Sequence, residues 1–378
     1  MKKLFLVAGA RPNFMKIAPL CRALRSTAGL RGVVVHTGQH YDYAMAESFF
    51  TSLGIGKPDF NLEVGSGSHA VQTAQIMIRF EELCLREKPD CVIVVGDVNS
   101  TVAAGLVAKK LRIDLAHVEA GLRSRDRSMP EEINRIATDA ITDLFFTTEK
   151  EGTENLIAEG HDASKIHFVG HVMIDTLLYQ LSKMGNRPPS DLAKSIKCLL
   201  PQKYICMTLH RPSNVDTAET LRRVLDAVSK LAEKAPVIFP CHPRTLKNIH
   251  AFGFERLTPP LPDSRRILEK GMYRTEPLGY DDFLYLWKDA CLVLTDSGGM
   301  QEETTALKIP CITMRETTER PVTVEIGSNV VTGTDAEKII QSGLKAVAGE
   351  WKDSGIPELW DGKASERIVE ALKAIYCR

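Results

Sequence analysis

The chain has 378 residues, more than one hydrophobic core usually serves, so two domains are expected. Its 48 basic residues are matched by 48 acidic residues. This balance argues against non-specific electrostatic binding to nucleic acid or to a membrane surface, so an anionic ligand needs a local site.

Nine cysteines are scattered along the chain without a C-x-x-C pair, and most lie in apolar runs. This pattern is typical of buried free thiols in a reducing compartment.

The N-terminal apolar run is too short for a signal peptide, and no other run is long enough to span a membrane. We therefore expect a soluble, cytoplasmic protein.

Short, continuously apolar runs alternate with longer amphipathic stretches. Buried parallel strands are apolar on both faces, so these runs predict parallel sheets with helices on each side. The first series of strands is predicted at 4–8, 33–36, 92–95, 115–118, 144–147 and 166–169. The second series is predicted at 204–208, 237–240, 292–295 and 311–314, with a helix over 217–233.

Turn-forming residues at 185–190 mark the expected boundary between the two series. We predict an N-terminal Rossmann-like domain over 1–184, a C-terminal Rossmann-like domain over 185–363, and a final helix within 364–378 that packs on either domain. The predicted fold class is α/β, with two doubly wound domains facing a cleft. Ligands of such sheets bind outside the carboxyl ends of the strands, so the ligand is expected in that cleft.

The first polar segment after a predicted strand is GARPNFMK at 9–16. Backbone N–H groups at a helix start, together with Arg11 and Lys16, indicate an anion site. The segment lacks the glycine patterns of dinucleotide folds and of P-loops, so it indicates neither kind of chemistry. A strand-to-helix turn with two solvated cations explains it equally well.

Three carboxylates follow in the N-terminal half. Asp97 lies just past a predicted strand, where capping of the helix that begins at residue 99 is the simpler explanation. Glu119 lies past the next strand, and two carboxylates at neighbouring strand ends would raise each other's affinity for a proton. Glu131 precedes Arg135 by four residues, a spacing that an exposed ion pair explains by default. Together the three acids predict a carboxylate cluster on one side of the sheet.

Cationic groups follow the strands of the second series. His210 comes after the strand at 204–208, although a structural histidine bonded to a loop carbonyl is an alternative. His242 and Arg244 follow the next strand and are expected to position phosphate or to support the site indirectly. Arg315 and Arg320 lie in a polar loop after a later strand, where they could reach a phosphate or sugar hydroxyls or could simply be solvated.

The most specific segment is TDSGGMQEE at 295–303, where a strand ends in small residues and a helix begins. Small residues at the positive end of a helix dipole let a diphosphate approach the backbone N–H groups. Glu302 or Glu303, one turn further, would accept hydrogen bonds from ribose hydroxyls. A glycine-containing turn into a buried helix explains the glycines but not the acids.

These segments together resemble the non-hydrolysing UDP-N-acetylglucosamine 2-epimerases. The resemblance covers nearly the whole chain in order. It rests on GARP at 9–12, TGQH at 37–40, GD at 96–97, HVEAGLR at 117–123, PEEINR at 130–135, LHR at 209–211, DSGGMQEE at 296–303 and TTERP at 317–321.

The resemblance implies the glycosyltransferase-B fold, with UDP held by the second domain and a homodimer as the usual assembly. Neither a cofactor nor a metal ion is expected. The implied catalytic set is Asp97, Glu119, Glu131 and His210. With the residues argued above, the expected substrate-binding set is Arg11, Lys16, Arg135, His242, Pro277, Phe283, Ser297, Gly298, Gly299, Glu303 and Arg320, in which the segment 277–283 supplies the uracil pocket.

The family's reaction is an anti elimination of UDP to a 2-acetamidoglucal, followed by re-addition with the proton returned to the other face of carbon 2. Inversion needs a base on one face and an acid on the other, which suits several carboxylates around one ring. A cationic site at a helix dipole would stabilise UDP as the leaving group.

Two positions depart from the family pattern. Tyr41 and Asp42 stand where many bacterial members carry a further amide or basic residue, in a region that binds a second, activating substrate molecule. Val322 stands where an acid is frequent, which favours a UDP-diacetamido-uronic acid as an alternative substrate. A hydrolysing epimerase, a glycosyltransferase of the same fold and a non-catalytic nucleotide-sugar sensor are further alternatives.

Overall fold

The structure, a computed structural model, describes residues 1–38, 50–185, 189–262 and 266–377. Backbone contacts divide the chain into two compact units. The first unit comprises Met1–Tyr179 and Glu358–Arg378, and the second comprises Gln180–Pro357. The predicted domain limits, at residues 184 and 363, differ from the limits of these units by a few residues and stay predictions.

Within the described ranges, the first unit contains a seven-stranded parallel sheet. Its strands are β1 (Lys2–Ala8), β2 (Leu30–His36), β3 (Phe60–Asn61), β4 (Cys91–Val95), β5 (Asp114–Val118), β6 (Leu144–Thr147) and β7 (Ile166–Phe168). The spatial order is β3-β2-β1-β4-β5-β6-β7. The winding direction therefore reverses between β1 and β4, which is the switch point where sheets of this kind bind ligands.

Helices connect these strands and cover the sheet. They are α1 (Arg11–Arg25), α2 (His69–Glu87), α3 (Asn99–Lys110), α4 (Pro130–Asp139), α5 (Lys150–Ala158) and α6 (Val172–Lys183). Phe5 and Val92 of the sheet share one buried core with Phe80 and Leu83 of α2. The final helix, α15 (Ala364–Tyr376), packs against α1.

The second unit contains a six-stranded parallel sheet in the part of the chain that is described. Its strands are β8 (Ile205–Met207), β9 (Val237–Pro240), β10 (Met272–Thr275), β11 (Leu292–Thr295), β12 (Cys311–Thr313) and β13 (Asn329–Val331). The spatial order is β10-β9-β8-β11-β12-β13, so the switch point lies between β8 and β11.

The helices of the second unit are α7 (Asp191–Cys198), α8 (Pro212–Val215), α9 (Ala218–Ala232), α10 (Pro243–Phe252), α11 (Tyr280–Trp287), α12 (Gly298–Ala306), α13 (Pro321–Glu325) and α14 (Ala336–Ala348). Helix α9 shows why such segments form. Thr217 caps its first turn by accepting a hydrogen bond from the Thr220 N–H. Leu221, Leu225 and Val228 recur at helical spacing and are buried in the core.

The two doubly wound parallel sheets confirm the predicted α/β fold class. The predicted strands are all present, with ends that differ by a few residues. Three strands lie outside the predicted set, namely β3, β10 and β13, and each is at the edge of its sheet. An edge strand needs less continuous burial than a central one, so its sequence gives a weaker apolar signal.

The nine cysteines are free thiols, as predicted, but the expectation that they are buried is wrong for Cys198 and Cys377, which are exposed. Burial raises the pKa of Cys21 and of Cys91 to about 12. No helix in the described ranges is long and apolar enough to cross a membrane.

Candidate functional site

The first polar cluster lies at the switch point of the sheet in the first unit. Asn13 and Lys16 stand on α1 after β1, Asp97 follows β4, and Glu119 follows β5. Because β1, β4 and β5 are neighbours in one parallel sheet, their carboxyl ends bring these segments to one edge.

Asn13 fixes the turn between β1 and α1. Its Oδ1 accepts hydrogen bonds from the N–H groups of Gly9, at 3.2 Å, and Ala10, at 3.0 Å. Its Nδ2 donates to the carbonyl of Val95 at the end of β4. Two N–H groups of the predicted anion site are therefore engaged by Asn13. The side chain of Arg11 lies outside the described residues.

Lys16 forms an ion pair with Glu119, and both side chains are largely buried. The alternative that Lys16 is a solvated cation is therefore wrong. Gly96 gives this pair its room, because a Cβ there would lie 2.7 Å from Lys16 Nζ and 3.3 Å from Glu119 Oε2. Glu119 has a φ of 71°, in the left-handed region that a non-glycine residue adopts only when its surroundings hold it there.

Asp97 binds Arg135 rather than capping a helix. Its Oδ2 lies 2.6 Å from Arg135 Nη2 and 3.0 Å from Arg135 Nε. The N-cap of α3 is Val98, so the prediction that Asp97 caps this helix is wrong. Asp97 and Glu119 each have a cation beside them, which opposes the mutual repulsion expected between the two carboxylates.

The predicted pairing of Glu131 with Arg135 is also wrong. Glu131 is exposed, and Arg135 Nη1 instead donates to the buried Glu132 over 2.8 Å. Glu132 also accepts the N–H groups of Ser124 and Arg125, each at 2.9 Å. Burial opposes its charge, but these hydrogen bonds and Arg135 lower the pKa of Glu132 below its ordinary value.

A fully buried histidine, His117, holds the backbone next to this cluster in place. His117 on β5 lies 2.7 Å from Asp139 Oδ1 through Nδ1 and 2.9 Å from the Gly96 carbonyl through Nε2. Asp139 also accepts the N–H of Gly121 at 3.0 Å and pairs with Arg123 at 2.8 Å. The polypeptide on both sides of Glu119 is thereby tied to α4.

The second polar cluster lies at the switch point of the other sheet and is organised by Asp296, which follows β11 and is fully buried. Its Oδ2 accepts the backbone N–H groups of His210, at 2.9 Å, and Arg211, at 2.8 Å. Its Oδ1 lies 2.9 Å from His210 Nδ1. The alternative that His210 is bonded to a loop carbonyl is therefore wrong, because its partner is a carboxylate.

His242 begins α10 after β9, and its ring centroid lies 5.8 Å from that of His210. Its Nδ1 accepts the backbone N–H of Arg244 at 3.2 Å. Partial burial, together with the nearby His210 and Arg244, lowers the pKa of His242. Arg244 itself pairs with Asp216 at 2.8 Å.

The start of α12 follows β11 directly, and there is open space beside Gly298. Ser297 is the N-cap and Gly298 is the first helical residue. A Cβ built on Gly298 would meet no atom within 4 Å. The first N–H groups of a helix lack partners within the helix and carry the positive end of its dipole, so this space suits an anion.

The two acids in the first turns of α12 have different partners. Glu302 is buried and pairs with Arg320 Nε at 2.6 Å. Glu303 accepts the hydroxyl of Tyr280 at 2.8 Å, and burial raises its pKa to about 8.

The polar loop before α13 is held by its own charges. Arg315 lies 2.7 Å from Glu319, and both are largely buried. Burial opposes the charge of Glu319, but Arg315 outweighs it and lowers the pKa of Glu319 to about 2. The alternative that Arg315 and Arg320 are solvated loop charges is wrong.

Comparison with known proteins identifies the family. A family model described as UDP-N-acetylglucosamine 2-epimerase matches residues 22–373. The chain belongs to this family. The UDP-N-acetylglucosamine 2-epimerase of Methanocaldococcus jannaschii is 41% identical over 98% of this chain and 98% of that protein. A UDP-2,3-diacetamido-2,3-dideoxy-D-glucuronate 2-epimerase of Pseudomonas aeruginosa is 38% identical over 98% of this chain and 99% of its own length.

A solved structure of the M. jannaschii epimerase, in complex with UDP-GlcNAc and UDP, superposes with a TM-score of 0.84. It is 40% identical and covers 98% of this chain and 99% of that chain. The two-domain fold of the glycosyltransferase-B type expected from the resemblance is therefore confirmed.

For this epimerase-family chain, the first unit brings Lys16, Asp97, Glu119 and Arg135 together, while Glu131 is exposed at the start of α4. In the second unit, His210 lies beside His242, and Pro277 is exposed. The remaining predicted residues there are Phe283, half-buried on α11, and Ser297, Gly298, Gly299, Glu303 and Arg320, on or near α12. Their individual roles stay predictions.

Of the two departures from the family pattern, one lies within the described residues. Tyr41 and Asp42 lie outside the described residues. Val322 is half-buried in the short helix α13, directly after Arg320 and Pro321.

Several residues that shape both clusters were missed by the sequence reasoning, namely Asn13, His117, Glu132, Asp139, Tyr280 and Asp296. His117, Glu132 and Asp296 stand inside the motifs themselves. A polar residue placed within an otherwise buried strand or motif is a signal that could have singled them out, because it needs a partner.

Proposed function

We propose that this chain is an isomerase that inverts carbon 2 of UDP-N-acetylglucosamine and gives UDP-N-acetylmannosamine. The observation that supports it most is the pairing of two different clusters in one chain. One is rich in carboxylates with cationic partners, and the other has a helix N-terminus with open space above Gly298. The product would supply the synthesis of a cell-surface polysaccharide.

The second unit holds the nucleotide in this proposal. The first turn of α12 receives the diphosphate through Ser297, Gly298 and Gly299, because the first N–H groups of a helix lack partners within it and a Cβ at Gly298 would meet nothing within 4 Å. Glu303 takes the ribose hydroxyls, and the segment 277–283 receives the uracil. The M. jannaschii relative with UDP-GlcNAc and UDP bound supports a UDP-sugar ligand of this kind.

The first unit supplies the acid–base groups. Asp97, Glu119 and Glu131 act as a set with His210 on one sugar ring. One group removes the proton from carbon 2, the electron pair forms the bond between carbons 1 and 2, and UDP leaves with the electrons of its bond to carbon 1. Re-addition reverses these steps with a proton delivered to the other face.

A proton NMR time course in deuterium oxide tests the proposal. The chain is incubated with UDP-N-acetylglucosamine without added nicotinamide or metal. We expect UDP-N-acetylmannosamine to form and both nucleotide sugars to gain deuterium at carbon 2, since the group that returns the proton equilibrates with water.

The same spectra separate the alternatives. Free N-acetylmannosamine with UDP would indicate a hydrolysing epimerase, and turnover that requires an added acceptor would indicate a glycosyltransferase. Binding without turnover would indicate a nucleotide-sugar sensor. A product that keeps its original hydrogen would contradict the elimination mechanism and point to transient oxidation of the sugar.

A UDP-diacetamido-uronic acid is a second candidate substrate. It is favoured by Val322, where the family frequently has an acid, and by the 38% identical P. aeruginosa relative with a diacetamido-glucuronate substrate in its name. Side-by-side kinetics with both nucleotide sugars decide between them, and a kcat/KM at least tenfold higher for the uronate would replace the first proposal. A homodimer and a cytoplasmic location stay predictions.

A further inference from the structure

We propose that Asp296 is a positioning residue that keeps the Nδ1 nitrogen of His210 protonated and leaves Nε2 for the nucleotide sugar. The expected effect of this tautomer on epimerisation rests on the proposed function. Its structural basis lies entirely within the second unit, at the carboxyl ends of β8 and β11.

Asp296 restricts the ring of His210 on the edge that carries Nδ1. Nδ1 lies 2.9 Å from Asp296 Oδ1, and the Asp296 side chain is fully buried, whereas the His210 side chain is 41% exposed. The Nδ1 edge of the ring is therefore fixed in the interior, and we infer that the exposed part of the ring includes the opposite edge, which carries Nε2.

Asp296 must act as an acceptor in this contact. Burial opposes its ionisation, but the nearby imidazole of His210 and the hydrogen bonds from the backbone N–H groups of Arg211 and His210 outweigh burial and lower the pKa of Asp296. An ionised carboxylate has only acceptor sites, and Oδ1 accepts no other hydrogen bond within the described residues, so we infer that His210 presents a protonated Nδ1 to it.

The same carboxylate also fixes the backbone that carries the ring. Its Oδ2 accepts the N–H groups of His210 and Arg211, and Asn214 Nδ2 lies 3.3 Å from it. Asn214 in turn donates to the Met314 carbonyl at 2.8 Å, which ties the arrangement to the end of β12. The ring is thus held through its side chain and its main chain by one residue.

His242 provides an internal contrast. Its Nδ1 accepts the Arg244 N–H at 3.2 Å, so in its neutral form the proton must be on Nε2. The two imidazoles, with centroids 5.8 Å apart, are therefore expected to be opposite tautomers. The difference follows from the partner of each Nδ1, a carboxylate for His210 and an N–H donor for His242.

The Asp296→Asn variant tests the assignment. The Asn oxygen can still accept the two backbone N–H groups, but its NH₂ would face His210 Nδ1 and move the ring proton to Nε2. We expect kcat for epimerisation to fall by about a hundredfold or more, as the same exchange costs a serine-protease triad about 10⁴-fold. UDP affinity, measured by calorimetry, should change less than about threefold.

Nitrogen-15 NMR at neutral pH shows which imidazole nitrogen carries the proton. A purely structural role of Asp296 would leave this pattern unchanged in the variant. In the unaltered chain, His210 should show a protonated Nδ1 and His242 a protonated Nε2, with the signals assigned through the His210→Gln variant. In Asp296→Asn, the His210 pattern should reverse while that of His242 stays.

The outcomes separate this inference from the function on which it rests. A His210 ring protonated on Nε2 in the unaltered chain would overturn the inference, even if the Asn variant does not fold. Full epimerase activity in a folded Asp296→Asn variant would overturn it as well. An unaltered chain with the expected tautomers but no epimerisation would overturn the proposed function and leave the positioning of His210 intact.

Discussion

Buried charges in both clusters are held in pairs, which determines how single residues can be tested. Lys16 with Glu119, Arg135 with Glu132, and Arg320 with Glu302 are largely buried ion pairs. Removing one partner of a buried pair takes away much of the compensation of the other charge, and such changes cost up to about 3–5 kcal/mol of stability. A loss of activity in those variants could therefore come from a loss of folded protein or from the loss of a catalytic group. Glu131, which is exposed, is a better probe of catalysis.

We expect Glu131→Gln to lower kcat by about a hundredfold or more, because an amide cannot exchange a proton with the substrate. UDP affinity and the urea midpoint should stay the same, since an exposed substitution usually changes stability by less than about 0.5 kcal/mol. Glu154→Gln is the matched control, at another exposed helical position. More than half of the original kcat in Glu131→Gln would remove Glu131 from the catalytic set.

Glu303 predicts a pH dependence of stability. Its pKa rises from 4.5 to about 8 on folding because the side chain is buried. Between these two values, the folded state keeps a proton that the unfolded chain loses. The free energy of unfolding should therefore fall as pH rises through this window, by up to about 1.4 kcal/mol per pH unit from this group, and its contribution should level off above the folded pKa.

Urea unfolding of the unliganded chain at several pH values between 5 and 8 measures this effect. Glu303→Gln mimics the neutral side chain and can still accept the Tyr280 hydroxyl, so its stability should fall less steeply over this window. The Glu154→Gln control should retain the original slope. Equal slopes for Glu303→Gln and the original chain would show that Glu303 titrates normally.

At the scale of elements, both clusters follow the same topological rule. In each sheet the reversal of winding leaves adjacent strand ends without a covering connection, and the polar segments follow those strands. The segments after β1, β4 and β5 supply carboxylates and cations, whereas those after β8, β11 and β12 supply a histidine, a helix N-terminus and arginines. The same architecture thus carries two different sets of polar groups because the loops differ.

The central strands and the sites after them could be predicted because continuous burial leaves a strong apolar pattern. The edge strand β10, with the sequence MYRT, leaves no such pattern. Side-chain partners could not be predicted, since they depend on tertiary contacts. Of the adjacent Glu131 and Glu132, only the fold determines that Glu132 accepts the N–H groups of Ser124 and Arg125.

The N-terminus of α12 gives a prediction about an element. Gly298→Asp would place a carboxylate in the space assigned to the diphosphate, so we expect UDP binding to fall below detection by calorimetry. The fold should tolerate the substitution, because a Cβ at Gly298 meets nothing within 4 Å. Gly185→Asp is the matched control, an exposed glycine whose Cβ also meets nothing. Unchanged UDP affinity in Gly298→Asp would place the nucleotide elsewhere.

At the scale of the whole molecule, each unit has its own sheet and its own cluster, so ligands that carry different parts of the substrate should act on different units. UDP contains the uracil, ribose and diphosphate that the second unit is proposed to hold, but not the N-acetylhexosamine ring. Uridine lacks both the diphosphate and that hexosamine ring. The nucleotide sugar contains all of these groups.

Hydrogen–deuterium exchange on the full chain can follow each unit separately. At 100 times its dissociation constant, a ligand stabilises the state that it binds by about 2.7 kcal/mol. Amide exchange should therefore slow in those segments whose local opening requires the ligand to dissociate. We expect UDP to protect peptides containing His210–Arg211 and Gly298–Gly299, and uridine to leave Gly298–Gly299 unprotected. The nucleotide sugar should additionally protect the peptide containing Glu119. If UDP protected the Glu119 segment but not the start of α12, the assignment of nucleotide binding to the second unit would be wrong, whatever reaction the chain catalyses.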